Sequence, residues 1–186
     1  MTKELHFCDK AEIFPVEKFL QFGHGKGQKL LIIGESPALN GWIKSGKAFY
    51  TVDNKLLPSG RNLNKLLSPF GLTVEQCGFT ELVKCCVGKN RKSLVKCAPK
   101  WKKILLEQIE LCCPRLIIIL GVETLRIFNL MFNTSLVTGE LGKFSLGKAI
   151  VNILPIYHPS PIAPKNHHKN LEIVELQKKS IQKLFD

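Results

Sequence analysis

The chain has 186 residues, 45% of them hydrophobic and 23% charged, which is ordinary globular usage for one domain over 1–186 and argues against both disorder and a multidomain assembly. Its longest apolar run, Leu116–Leu120, falls far short of the roughly 18–20 residues of a membrane span, and an N-terminus that mixes Lys3, Glu4, Asp9 and Lys10 with scattered apolar residues is no secretory leader. A cytoplasmic, monomeric protein is therefore expected, and 27 Lys plus Arg against 15 Asp plus Glu, a net charge of +12, gives it a field that favours polyanions such as DNA.

Along the chain, Leu30, Leu31, Ile32 and Ile33 form a short apolar run stopped by the turn residues Gly34, Glu35, Ser36 and Pro37, which reads as a buried strand feeding a loop. Residues 60–70 place Leu63, Leu66 and Leu67 at helical spacing, and residues 79–83 read as a second strand. From 96 to 113 the positions of Trp101, Ile104, Leu105, Ile109 and Leu111 predict one helix, which Pro114 ends. Leu116–Leu120 is a third strand and Val122–Phe132 a helix. Residues 139–147 read as a loop, 149–155 as a fourth strand and 171–185 as a closing helix. Short apolar runs that alternate with helices predict a three-layer α/β/α sandwich with a mostly parallel central sheet of about four strands. Ligands of such sheets bind beyond the carboxyl ends of the strands. The loops that carry Gly34 to Pro37 and His158 to Pro161 both follow strands, so they are expected to face one cleft.

Two further features bear on chemistry. Between Lys84 and Lys103 lie eight basic residues and no acidic one, a patch suited to phosphates or, failing a partner, a solvated basic face. Seven cysteines without an export signal argue against a disulfide framework. They leave either buried thiols or a metal site.

These motifs, in this order, resemble the thermophile-type, family 4 branch of the uracil-DNA glycosylase superfamily. Gly34-Glu35-Ser36-Pro37 is similar to its first motif. Thr80-Glu81-Leu82-Val83-Lys84-Cys85, with Asn90-Arg91 and Cys97, is similar to its middle segment, and His158-Pro159-Ser160 to its last motif. The resemblance implies a monofunctional DNA glycosylase that flips a base out of the stack and hydrolyses its N-glycosidic bond. The alternative is a catalytically inert nucleic-acid-binding member of the same fold.

The roles the resemblance implies make chemical sense. Glycosidic cleavage develops positive charge on the sugar and negative charge on the leaving base, so it calls for a carboxylate and a hydrogen-bond donor, here Glu35 and His158. Phe49 matches the ring on which the base stacks, and Gly34, Ser36 and Glu81 complete the base site. Pro37, Ser160 and Pro161 resemble residues whose loops compress the DNA backbone. Lys89, Asn90, Arg91 and Lys92 would hold phosphates, and Ile162 stands where the family inserts a wedge.

Three departures from the family matter. Glu81 replaces an asparagine that reads uracil, so either its carboxyl is protonated by burial, or the base carries an amino group, or the side chain turns away to pair with Lys84. Gly41 falls near the position that closes the C5 side of the base. It suggests a bulky 5-substituted cytosine as a second substrate class, similar to that of phage-defence members of the superfamily. Cys85 and Cys97 match two of the four cluster cysteines, and Cys8 resembles one of an N-terminal Cys-x-x-Cys pair whose other position is Ala11 or Leu5, so the usual ligand set is incomplete. Cys8 and His6 would have to complete a site for a [4Fe-4S] cluster or zinc, unless the thiols are simply buried.

Overall fold

The computed structural model describes residues 4–23, 29–147 and 149–186. Its strands are β1 (Leu20–Gln21), β2 (Leu30–Gly34), β3 (Gly78–Glu81), β4 (Leu116–Leu120), β5 (Gly142–Leu146) and β6 (Ala149–Ile156). Its α-helices are α1 (Trp42–Ser45), α2 (Pro58–Leu67), α3 (Arg91–Cys97), α4 (Lys102–Cys112), α5 (Val122–Phe132) and α6 (Pro164–Phe185). The strands form one sheet in the order β1-β3-β2-β4-β6-β5. The four central strands run parallel, and β1 and β5 add to the two edges antiparallel.

The four expected strands are thus the parallel core, and the sheet has six because of its edges. Residues 139–147 are no mere loop, since β5 occupies most of them. An edge strand buries one face only, and Phe144 is the buried residue of β5, so little apolar patterning marks it. The helix expected over 96–113 is two helices, α3 and α4, joined by a 3-10 turn at Ala98–Trp101 where Pro99 interrupts the ladder. The closing helix begins at Pro164, seven residues before the expected 171, with proline in its first turn.

Alternation along the central strands explains the three layers. Leu31, Ile33, Ile117, Ile119 and Ile153 point to one face, where Leu94, Trp101, Leu105 and Phe128 cover them from α3, α4 and α5 and the turn between α3 and α4. Leu30, Ile32, Leu116, Ile118 and Leu154 point to the other, under Leu63 and Leu66 of α2 and Val174 and Ile181 of α6. Each buried aliphatic side chain contributes about 1.5–3 kcal/mol through the water it sheds. With both faces covered the strands need no polar alternation, and their carboxyl ends are left free to carry the site. Among the described residues no helix is long and apolar enough to cross a membrane.

Candidate active site

Chain order makes a crevice between β2 and β4, because β2 is followed by β3 on one side and the chain then crosses back to β4 on the other. At the carboxyl ends of these strands lies a cavity of about 490 Å³. Gly34, Glu35, Ser36, Phe49, Glu81, Arg91 and His158, all singled out by sequence, line it together.

Glu35 follows β2 on a loop whose backbone extends the ladder: Leu82 N–H donates to Gly34 O at 2.8 Å and Val83 N–H to Glu35 O at 3.1 Å. Its carboxylate accepts from the Arg91 guanidinium, with 23% of its side chain exposed. His158 follows β6. Gly121 stands at φ 101°, where a side chain would be strained, while a Cβ on it would only reach ordinary contact, 3.5 Å, with the Cβ of His158, so it is the backbone conformation that favours glycine there. The imidazole opens onto the cavity, yet the protein mass around it lowers its pKa through desolvation, so it stays neutral near pH 7.

Glu81 ends β3 buried, and its Oε2 has no hydrogen-bond partner among the described residues. Burial, helped by the charge of Glu35 and opposed by Lys84, pushes its pKa up to about 8. The carboxyl is therefore a neutral acid at pH 7. Lys84 is fully buried, which removes it from the surface patch read from sequence. Its ammonium does not pair with the Glu81 carboxylate: Nζ donates to Thr80 Oγ1 at 2.9 Å, to Gln108 Oε1 at 2.6 Å and to the backbone carbonyl of Glu81. Burial brings its pKa down to about 7, against the pull of Glu81.

Phe49 sits between α1 and α2 at φ 64°, half-buried, its ring packed edge-on against Phe79 at 4.7 Å and 76°. The segment after it doubles back, with Leu57 N–H donating to Phe49 O at 2.7 Å, so that Leu57 joins the cavity wall. Gly41 lines the wall too, and the nearest atom to a Cβ on it would be the Ala38 Cβ at 3.4 Å.

The remaining predicted residues lie outside the lining. Lys89 and Lys92 are exposed beside Arg91. Asn90 Oδ1 accepts from the backbone N–H of Lys92 at 3.1 Å and of Ser93 at 3.2 Å, so this side chain caps α3 and aims Arg91, a role not foreseen from sequence. Pro37 is buried and stiffens the first loop. Ser160 is half-buried, Pro161 exposed, and Ile162 stands out at 92% exposure. Sequence reasoning missed Thr124 and Glu123 at the start of α5, both in the wall. Hydrogen bonding from Arg126 holds the Glu123 carboxyl below its ordinary pKa. Neither lies in a motif, so no local signal marked them.

Away from the cavity, His6, Cys8, Cys85 and Cys97 each bring one donor atom within 4.8 Å of the others. Cys8 Sγ is 3.6 Å from Cys97 Sγ, which is 3.4 Å from His6 Nδ1, and the Phe7 N–H donates to Cys85 Sγ at 3.2 Å.

Comparison with known proteins bears directly on this arrangement. The model of the uracil DNA glycosylase superfamily matches residues 22–180. The chain belongs to that superfamily. Membership assigns it to the DNA glycosylases, and the six-stranded α/β sheet is this superfamily's fold. The chain is 30% identical over 170 residues to a type-4 uracil-DNA glycosylase of Saccharolobus solfataricus, covering 86% of this chain and 74% of that one. It is 26% identical over 168 residues to the type-4 enzyme of Archaeoglobus fulgidus, covering 87% and 81% of the two chains. With the type-4 enzyme of Sulfurisphaera tokodaii it shares 28% identity over 195 positions, covering 99% and 83%.

Proposed function

We propose that this superfamily member hydrolyses the N-glycosidic bond of a uracil extruded from DNA, with Glu35 and His158 catalytic and Phe49 and Glu81 holding the base. One observation carries the reading: these four side chains, from the ends of three strands and the loop before α2, converge on a single cavity. A base within a duplex cannot reach such a depth, so it must leave the stack first. Lys89, Arg91 and Lys92 hold phosphates, the Ser160–Pro161 turn presses on the backbone, and the exposed Ile162 fills the gap in the stack.

Breaking the C1′–N1 bond leaves positive charge on the sugar and the electron pair on the base. The Glu35 carboxylate stabilises the first and orients a water whose oxygen joins C1′ and whose proton Glu35 receives. The neutral His158 donates an N–H to the base O2, where negative charge gathers. Phe49 offers its face to the ring, propped by Phe79. A protonated Glu81 presents one O–H and one C=O, the complement of uracil O4 and N3–H that an amide would also present. The replacement of the family's asparagine is thereby reconciled with uracil.

A second reading, excision of a 5-substituted cytosine in phage defence, draws on Gly41, whose bare position in the wall leaves the C5 side of a bound pyrimidine without a side chain. A carboxyl with its donor and acceptor exchanged would also pair with cytosine N3 and N4. Oligonucleotides carrying uracil, hypoxanthine, 5-hydroxymethylcytosine or its glucosylated form, treated with the protein and then alkali, test both readings. Strand breaks at uracil that vanish in Glu35→Gln support the first. Breaks confined to modified cytosine replace it with the second, and a lack of breaks on every substrate overturns both.

A further inference from the structure

The cysteines that match the family belong to a ligand set for a four-iron cluster, but the donors of this chain are spaced for something smaller. In a four-iron cube each thiolate bonds a different iron, which keeps the thiolate sulfurs about 6 Å apart. Here all four donor atoms lie within 4.8 Å of one another, and two of the separations are 3.6 and 3.4 Å. One zinc ion with bonds of about 2.3 Å to sulfur and about 2.1 Å to nitrogen sets tetrahedral neighbours roughly 3.4–3.8 Å apart. The residues present do not fit the cube.

We propose that His6, Cys8, Cys85 and Cys97 form a closed Cys3His site for a single zinc ion in place of an iron–sulfur cluster. The second support is the histidine's own setting. His6 Nε2 lies 2.8 Å from Glu4 Oε2, and Ser93 Oγ donates to the same oxygen at 3.3 Å. A proton held on Nε2 by that carboxylate leaves the Nδ1 lone pair facing Cys97, the carboxylate–histidine–metal arrangement that orients zinc ligands. A third is backbone: the Phe7 N–H donates to Cys85 Sγ at 3.2 Å, a hydrogen bond that favours the thiolate form a metal binds.

The site also has a structural task. Leu5 and Cys86 exchange backbone hydrogen bonds of 2.9 Å in both directions, and the turn at Cys8–Ile13 starts from a ligand. Zinc would bolt this N-terminal segment to the stretch between Cys85 and Cys97, which carries Asn90, Arg91 and Lys92. It takes no part in bond cleavage.

The test uses the full chain, produced with ample iron and sulfide and purified without oxygen. One zinc per chain, no acid-labile sulfide and a colourless solution are expected, and exchange with cobalt should give the intense visible bands of a tetrahedral thiolate site. Glu4→Gln should weaken zinc binding about 10- to 100-fold in competition with a chelator. His6→Ala, which leaves three thiolates and a water on the metal, should shift the visible cobalt bands and weaken metal binding with its helical circular dichroism intact, while Cys113→Ser, at an exposed position, should change nothing. A brown protein with iron and sulfide in equal amounts, a metal-free protein after growth in zinc, or unaltered zinc affinity in Glu4→Gln would each overturn the proposal.

Discussion

Gly34 and Glu81 are register partners across β2 and β3, and a Cβ on Gly34 would stand 2.2 Å from Glu81 Oε2. The glycine has no unusual φ; it is needed because the carboxyl occupies the space of a side chain. Gly34→Ala should swing that carboxyl out of the base site. We expect Gly34→Ala and Glu81→Ala each to slow single-turnover uracil excision by roughly 5- to 150-fold, the effect of about 1–3 kcal/mol for an unpaired polar edge. The double variant should be no slower than Glu81→Ala alone, since both act through one group. Additive losses would separate the two residues.

The pH dependence of excision follows from the same carboxyl. Glu81 has its pKa raised to about 8, so it is a donor below that pH and an acceptor only above it. An ionised carboxylate would face uracil O4 with like charge, and excision should therefore fall as pH rises through about 8. Glu81→Gln keeps the donor and cannot ionise, so its profile should be flat there. A wild-type rate that holds level to pH 9.5 would remove Glu81 from base reading.

Lys84 offers a test of stability in place of rate. Lys84→Met leaves the buried oxygens of Thr80, Gln108 and Glu81 without their donor and should destabilise the fold by about 1–3 kcal/mol in denaturant titrations. Its folded pKa is lowered from 10.5 to about 7, so the unfolded chain takes up a proton throughout that window and the folded chain does not. Stability attributable to Lys84 is thus present above the unfolded value and lost as pH falls towards about 7. Between about pH 8 and 10 the wild type should gain on Lys84→Met with rising pH, by at most about 1.4 kcal/mol per unit.

DNA affinity should depend steeply on salt, because each phosphate contact releases counterions and adds roughly 0.9 to the slope of log K against log salt on duplex DNA. Replacing Lys89, Arg91 and Lys92 by alanine should flatten that slope without lowering the unfolding free energy by more than about 1 kcal/mol, since these side chains are exposed and the Arg91–Glu35 pair is partly so. An unaltered slope in filter-binding or anisotropy titrations would move the DNA face elsewhere.

How far the molecule could be read from its sequence depended on what each residue had to satisfy. Leu30–Gly34 and Leu116–Leu120 are covered on both faces, and that demand writes itself as unbroken apolar runs. β1 has two residues and β5 one buried side chain, so neither had room for a pattern. Glu35, His158, Phe49 and Glu81 were legible because their loops carry motifs in family order. Ala48, Leu57 and Thr124 were not, since ordinary residues become cavity wall only through the crossing of distant segments. Lys84 misled for a related reason: nothing in its neighbours announces that Thr80 and Gln108 wait to receive it inside the core.

That burial has a further consequence for the reaction product. A lysine brought near neutrality is a good nucleophile, and an amine at the sugar C1′ would form a Schiff base and go on to nick the strand. Lys84 is instead sealed among its three acceptors, and among the described residues that line the cavity there is no lysine. On the reading proposed for the site, the sugar meets water alone. The abasic deoxyribose should remain in an unbroken strand until alkali is added, and sodium borohydride included during turnover should trap no covalent complex between protein and DNA.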